Sequence, residues 1–163
     1  MNIIKLLRDD HQKALSLIAE LERAGGMTSR PRTKLLSELR DSLSLHTKVE
    51  ERIFYPALED FGKTRALING FYREHEEVDR ILAKLDELEK RKSGDEWQDQ
   101  LGKLKWSVER HIDEEEKRLF PRAEKLLGKE RLAEMFYECE RVKSGQSETD
   151  NLIYPAGRLG VKH

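Results

Sequence analysis

The segment His111-Ile-Asp-Glu-Glu-Glu-Lys-Arg-Leu-Phe-Pro121 has an earlier copy in the chain, His46-Thr-Lys-Val-Glu-Glu-Arg-Ile-Phe-Tyr-Pro56. The histidine, both shared glutamates, the apolar pair and the proline recur at an offset of 65 residues. In each copy the histidine precedes a glutamate by four residues, so an α-helix places imidazole and carboxylate one turn apart on one face. Each copy therefore predicts a helix edge that can chelate a metal ion.

The repeat extends to two further helices. Asp10-His11 and Glu74-His75 are offset by 64 residues, and each pair begins a run of apolar residues at steps of three and four. Short connections between four such helices favour an all-α, up-down-up-down four-helix bundle. Gly128 ends the fourth helix, and a short additional C-terminal helix is predicted from about Lys129 to Arg141. We therefore expect a bundle domain at residues 1–143 and a C-terminal tail, flexible by its composition, at residues 144–163.

Composition narrows the functional classes. The 163 residues fit one domain, with 39% charged residues against 37% hydrophobic ones. A net charge of −1 without a basic cluster argues against nucleic-acid binding. Cys139 is the single cysteine, which excludes an intrachain disulfide and suits a reducing compartment. No stretch looks like a signal peptide or a membrane span. A cytoplasmic protein without nucleic-acid or membrane partners is expected.

Polar residues occupy positions that apolar side chains should hold. The apolar face of each of the four predicted helices contains a histidine, and two of these faces also contain a glutamate. Burying such groups unpaired costs several kcal/mol. A single histidine on an apolar face is more often a hydrogen-bonded core residue, and a lone His-x-x-x-Glu pair is usually a surface pair. The joint pattern instead indicates a metal site, while His163 at the terminus is interpreted as uninvolved. Four neighbouring acids are interpreted as solvated charges: Glu51, Asp113, Glu114 and Glu116.

The residue types limit which metal such a site would hold. Packed helices lie about 8–10 Å apart, so inward side chains from four helices can surround two ions about 3.5–4 Å apart. The set contains imidazoles and carboxylates but no thiolate, which favours iron, with manganese or zinc as competitors.

The order His, His-x-x-x-Glu-Glu, Glu-His, His-x-x-x-Glu-Glu resembles the hemerythrin-like (HHE) cation-binding domain, over roughly residues 3–127. This resemblance implies a four-helix bundle around a non-haem di-iron centre with an oxo or hydroxo bridge. The implied metal ligands are His11, His46, Glu50, His75, His111 and Glu115, with Glu50 and Glu115 bridging. Oxygen-carrying hemerythrins place His-x-x-x-His on the third helix and Asp as the last bridge. Here Asp79 follows His75, which weakens reversible oxygen carriage.

This ligand set leaves room for a small molecule. Two six-coordinate ions have about twelve positions, of which four imidazoles, two bridging carboxylates and one bridging oxygen fill about ten. The residual positive charge favours O2-derived, peroxidic or nitric oxide ligands. Redox turnover and binding without turnover both remain open, the latter as an iron- or oxygen-responsive sensor with the tail after Thr149 as output surface. A metal-free helical interaction module is a third alternative.

Two questions about neighbouring residues remain open at this stage. Asp79 is either a direct ligand or a boundary carboxylate paired with a cation. Four apolar residues of the repeats either wall the site against water or are simply core: Ile53, Phe54, Leu119 and Phe120.

Overall fold

The computed structural model describes residues 1–25, 29–91 and 94–145, and these residues form helices and short turns without a β-strand. The helices are α1 (Ile3–Ala24), α2 (Arg30–Val49), α3 (Gly62–Arg91), α4 (Asp95–Glu114) and α5 (Phe120–Lys143). The predicted all-α class is confirmed. The predicted tail beyond Gly145 lies outside the described residues.

Local sequence signals explain several helix ends. The Asn2 side chain accepts a hydrogen bond from the Lys5 amide, and Ser29 accepts one from Arg32, so both helices begin on a side-chain cap. Gly25 and Gly128 adopt φ values of 76° and 74°, which side chains with a Cβ rarely tolerate. Gly128 interrupts α5, which confirms the predicted break before a C-terminal helix.

Each repeated segment contains a π-helical turn, at Glu50–Phe54 after α2 and at Glu115–Leu119 after α4. The Tyr55 amide donates to the Glu50 carbonyl, five residues earlier, at 2.8 Å. A proline lacks a backbone N–H, so a kink or a last helical turn is expected at both Pro56 and Pro121. Turns do follow the first π segment. After the second π segment, by contrast, the helix continues through Pro121 as α5. Single π-helical turns are rare but often occur at functional sites, and here both begin at the glutamates of the His-x-x-x-Glu pairs, Glu50 and Glu115.

Two apolar clusters divide the interior. One contains Leu7, Phe54, Phe71 and Phe120, together with Met135 from the part of α5 after Gly128. The other contains Ile18, Leu36, Leu85, Trp97 and Leu104. On α1, α2 and α3 the histidine falls between residues of the first cluster and residues of the second. On α4, His111 lies near the end of the second-cluster stretch, and the first cluster follows beyond the helix at Leu119 and Phe120. The polar layer predicted from the repeats therefore sits between two dry cores.

The helices that carry this layer contact one another. Helix α1 packs against α2, α4 and α5, and α3 packs against α4 and α2. In the part of the chain that the structure describes, no helix is long and apolar enough to cross a membrane.

Candidate metal centre

Six polar side chains from the four helices meet in the layer between the two cores. Four are histidines and two are glutamates, all buried: His11, His46, Glu50, His75, His111 and Glu115. Glu50 and Glu115 have no exposed surface. Two carboxylates without access to water require compensation by cations or strong donors.

The potential ligand atoms fall into two overlapping groups. One atom from each of His11, His46, Glu50 and Glu115 lies within 4.8 Å of the others, and the same limit holds for Glu50, His75 and His111. Glu50 belongs to both groups. This sharing is what a carboxylate bridge between two ions requires, because one oxygen can serve each ion.

Several of these atoms have no hydrogen-bond partner within the described structure. They are His11 Nε2, His46 Nε2, Glu50 Oε1 and Glu115 Oε2. His46 Nε2 lies 2.9 Å from Glu50 Oε1, and His11 Nε2 lies 3.1 Å from Glu115 Oε2. These contacts are short, but they are not aligned as hydrogen bonds. Converging nitrogen and oxygen lone pairs that miss one another fit a metal ion placed between them.

The Nδ1 atom of each of these four histidines, on the side of the ring away from the centre, contacts a carboxylate. The Nδ1 distances are 2.8 Å for His11 to Glu116, 3.1 Å for His46 to Asp10, 3.1 Å for His75 to Glu51 and 2.7 Å for His111 to Glu74. A carboxylate can only accept here, so each Nδ1–H donates, and in the neutral form of each ring Nε2 keeps the lone pair that faces the centre. Such partners orient metal-binding imidazoles and raise their basicity.

These contacts correct one sequence-based interpretation. Glu51 and Glu116 were expected to be solvated charges, but each pairs with a histidine of another helix. They lie one residue beyond the central glutamates, about 100° around the helix, and that direction faces a neighbouring helix rather than solvent. Asp113, in contrast, is exposed on α4.

Tyr55 is a site residue that the sequence did not reveal. It is fully buried, and its hydroxyl donates to Glu115 Oε1 at 2.9 Å while lying 3.2 Å from Glu50 Oε2. The π turn brings Tyr55, five residues after Glu50, onto the same side of the helix as Glu50. A search of the sequence at steps of three and four therefore misses it. Burial, then the charges of Glu115 and Glu50, raise the pKa of Tyr55 well above its usual value. The phenol therefore stays protonated as a donor between the two carboxylates.

In the metal-free site, protonated histidines and ionised glutamates form a buried cluster of ion pairs. Burial opposes protonation of His11 and His111, but contacts with Glu115 and a second carboxylate outweigh it and raise both pKa values to about 10. Burial likewise works against ionisation of Glu50, yet His46 and its neighbours hold the pKa of Glu50 well below the usual value. Without metal, protons thus occupy the positions that cations would fill.

The two questions that the sequence left open concern Asp79 and the four apolar residues of the repeats. Asp79 is exposed on α3 and belongs to neither ligand group. Ile53, Phe54, Leu119 and Phe120 are all buried, and the Phe120 ring stacks on His11 with a centroid distance of 5.8 Å. Phe120 therefore forms an apolar wall directly against the site.

A carboxylate–histidine metal site between four helices is the class of centre that these contacts define. Residues 2–123 match the Hemerythrin HHE cation binding domain, and the chain belongs to this family. The resemblance stated from the sequence is confirmed.

Comparison with individual proteins adds relatives of two kinds. The chain is similar to uncharacterized proteins of Mycobacterium bovis and Mycobacterium tuberculosis, at 29% identity over 121 residues, which cover 74% of this chain and 71% of each relative. An iron-sulfur cluster repair protein of Neisseria gonorrhoeae, DnrN, is 41% identical over 56 residues, or 33% of this chain and 36% of its own length. No solved structure matches the chain significantly.

Proposed function

We propose that this protein is a non-haem di-iron protein whose centre binds or reacts with O2, nitric oxide or peroxide. The observation that carries the proposal is the convergence of six buried side chains, four of which have a facing atom without a hydrogen-bond partner: His11, His46, Glu50 and Glu115. The ligands would be His11, His46, Glu50, His75, His111 and Glu115. Iron accords with the imidazole and carboxylate donors, and the relative from Neisseria gonorrhoeae is named as an iron-sulfur cluster repair protein.

The structure supports two ions rather than one. Glu50 lies within reach of both histidine pairs, His11 with His46 and His75 with His111. The four imidazoles and the two carboxylates would hold the pair of ions and would leave room on it for a small ligand. The bound metal would supply redox equivalents and Lewis acidity. The protein's own part is to orient the imidazoles through the outer carboxylates and to exclude bulk water with rings such as Phe120.

We further propose that α1 to α4 form an up-down-up-down bundle. Helices α1 and α3 meet the Phe54 cluster before their histidine and the Trp97 cluster after it, whereas α2 meets them in the opposite order. Helix α4 carries the Trp97 cluster, and the Phe54 cluster follows beyond its end at Leu119 and Phe120. Alternating direction is the arrangement that this order supports. A cytoplasmic location would accord with the single cysteine, Cys139, which is buried and has a free thiol.

Metal analysis of protein purified without added metal tests the main proposal. Two iron atoms per chain are expected, with near-ultraviolet charge-transfer bands of a coupled ferric pair that change on adding azide or nitric oxide. Recovery of one zinc, with no iron-dependent spectrum after anaerobic iron loading, would contradict it. Peroxide consumption by the iron-loaded protein separates turnover from binding alone, and ligand-induced spectral changes without consumption favour the sensor function.

A further inference from the structure

A small cavity adjoins the histidines. Its volume is about 30 Å³, and its lining includes all four histidines but neither Glu50 nor Glu115. A space of this size holds about one water-sized molecule. It is therefore the place where a small ligand would approach the centre from the histidine side.

The walls of this cavity differ between the two halves of the repeat. Val78, Val108 and Ile112 line it on the side of α3 and α4, whereas Asp10, Ser42 and Thr47 bring polar groups on the side of α1 and α2. Thr47 and Ile112 hold equivalent positions at the offset of 65 residues. The polar groups thus mark the seam between α1 and α2.

A second cavity lies on the outer side of that seam. Its volume is about 270 Å³, and its lining shares Asp10 and Ser42 with the inner cavity and adds Lys143 from the end of α5. Asp10 and Ser42 therefore separate the two spaces. A molecule crossing directly from one cavity to the other would pass these two side chains.

Lys143 closes this partition. Its Nζ donates to both Asp10 oxygens, at 2.7 Å and 2.8 Å, while Asp10 Oδ2 accepts from His46 Nδ1 at 3.1 Å. The equivalent carboxylate, Glu74, instead meets Arg110 of the adjacent helix at 3.6 Å. Lys143 also lies beyond residue 123, where the family match ends. The contact is thus supplied to the domain by the C-terminal helix.

We propose that small molecules reach the metal centre through the seam between α1 and α2, and that the Asp10–Lys143 ion pair gates this route. The inference rests on the proposed function in that it assumes a ligand-binding centre. Rotation of the long Lys143 side chain away from Asp10 would release Asp10, one of the two side chains between the cavities, to turn aside without moving a helix. The last turn of α5 then controls the rate of ligand entry and exit, and not the equilibrium affinity.

Stopped-flow binding of nitric oxide to the reduced, iron-loaded protein tests the route, because a neutral probe is insensitive to the change in charge. Ser42→Leu narrows the partition and should slow association about tenfold, as gated access predicts. Ser44→Leu, the same change at an exposed position of α2, should match the parent. Lys143→Met keeps the aliphatic stem and removes the ion pair, so association and dissociation should both accelerate severalfold. Lys105→Met, which removes another ion pair made with α1, through Glu22, is its control.

Unchanged association in Ser42→Leu would overturn the route. Parental rates in Lys143→Met, or a change in dissociation alone, would overturn the gate and make Lys143 a residue that only positions Asp10. Uptake of Co2+ by the metal-free forms of Ser42→Leu and Ser44→Leu, followed by visible absorption, gives a second reading that needs no iron. If the parent fails to bind nitric oxide while Ser42→Leu still slows Co2+ uptake, the proposed function fails and the route stands.

Discussion

The two halves of this molecule carry the same metal-facing set but differ in what surrounds it. Each half offers two histidines and one glutamate to the centre, and each ends in a π turn. Tyr55 in the first half corresponds to Phe120 in the second, so one ring donates a hydrogen bond where the other only stacks. The two halves therefore share the side chains that face the centre. They differ in the residues that determine hydrogen bonding to the central glutamates and the access of small molecules to the centre.

The largest expected effect tests whether the two central glutamates are equivalent. Glu50→Ala and Glu115→Ala should both lose the paired iron, because each removes a carboxylate that the proposed centre would share between two ions. Glu50 belongs to both ligand groups, so its variant should retain almost no metal, while Glu115→Ala can keep one ion on Glu50, His75 and His111. Iron analysis measures this, with exposed Asp113→Ala as the control. Full iron content in either glutamate variant would show that it does not bridge.

The second prediction asks whether the outer carboxylates also act as a matched pair. Glu51→Gln and Glu116→Gln should each weaken iron binding about 10–100-fold, because the carboxylate that orients a histidine ring is replaced by a neutral amide. Competition with a chelator measures the affinity, and Asp113→Asn is the control. The interpretation from sequence, in which Glu51 and Glu116 are solvated charges, instead implies that iron binding does not depend on them. Parental affinity in both glutamine variants would restore that earlier interpretation.

How far the sequence reached can be judged from these residues. The helical spacing of His46 and Glu50, and its repetition at His111 and Glu115, predicted the helices and the convergence of the six side chains. The roles of Glu51 and Glu116 depend on how neighbouring helices are rotated, which one helix's periodicity does not contain. Tyr55 was missed because a π turn changes the spacing locally.

Lys143 shows a second limit of sequence reasoning. It contacts Asp10 across 133 positions of the chain, and no repeat or motif relates the two. Such a contact depends on how the helix after Gly128 packs back onto α1. Periodicity predicts that this helix exists, but not where its last turn lies.

The third prediction concerns protons that stand in for metal in both halves. His11 and His111 have a usual pKa of 6.5, which rises to about 10 in the folded, metal-free protein. A raised folded pKa stabilises fully below the unfolded value, and the stabilisation is lost as pH rises through the folded value. The free energy of unfolding of the metal-free protein should therefore decline between pH 6.5 and about 10. Metal binding should strengthen over the same window, since it needs neutral imidazoles.

Chemical denaturation at several pH values measures this dependence. His11→Gln and His111→Gln should each flatten the decline, one for each half. Stability of the metal-free parent that increases across the window would contradict the ion-cluster description.

The fourth prediction removes the main chemical difference between the π turns. Tyr55→Phe makes the first half match Phe120, and it removes the donor from Glu115 Oε1 and Glu50 Oε2. Loss of a donor to buried carboxylates should lower the free energy of unfolding by about 1–3 kcal/mol. Urea denaturation measures it, with exposed Tyr137→Phe as the control. Equal stability of parent and Tyr55→Phe would mean that the hydroxyl contributes nothing net.

The smallest expected effect concerns Asp79, which follows His75 by one turn where Leu15 follows His11. Asp79 is exposed and outside both ligand groups, whereas direct ligation would require it to turn inward past Val78, which lines the inner cavity. Its carboxylate therefore leaves the open metal positions untouched. Asp79→Ala should keep both irons and the parental azide affinity, as measured by spectral titration, while tighter azide binding in this variant would place Asp79 on the metal. Asp79→Leu, which copies the first half, should behave identically, because the asymmetry at this position lies on the outside of the bundle.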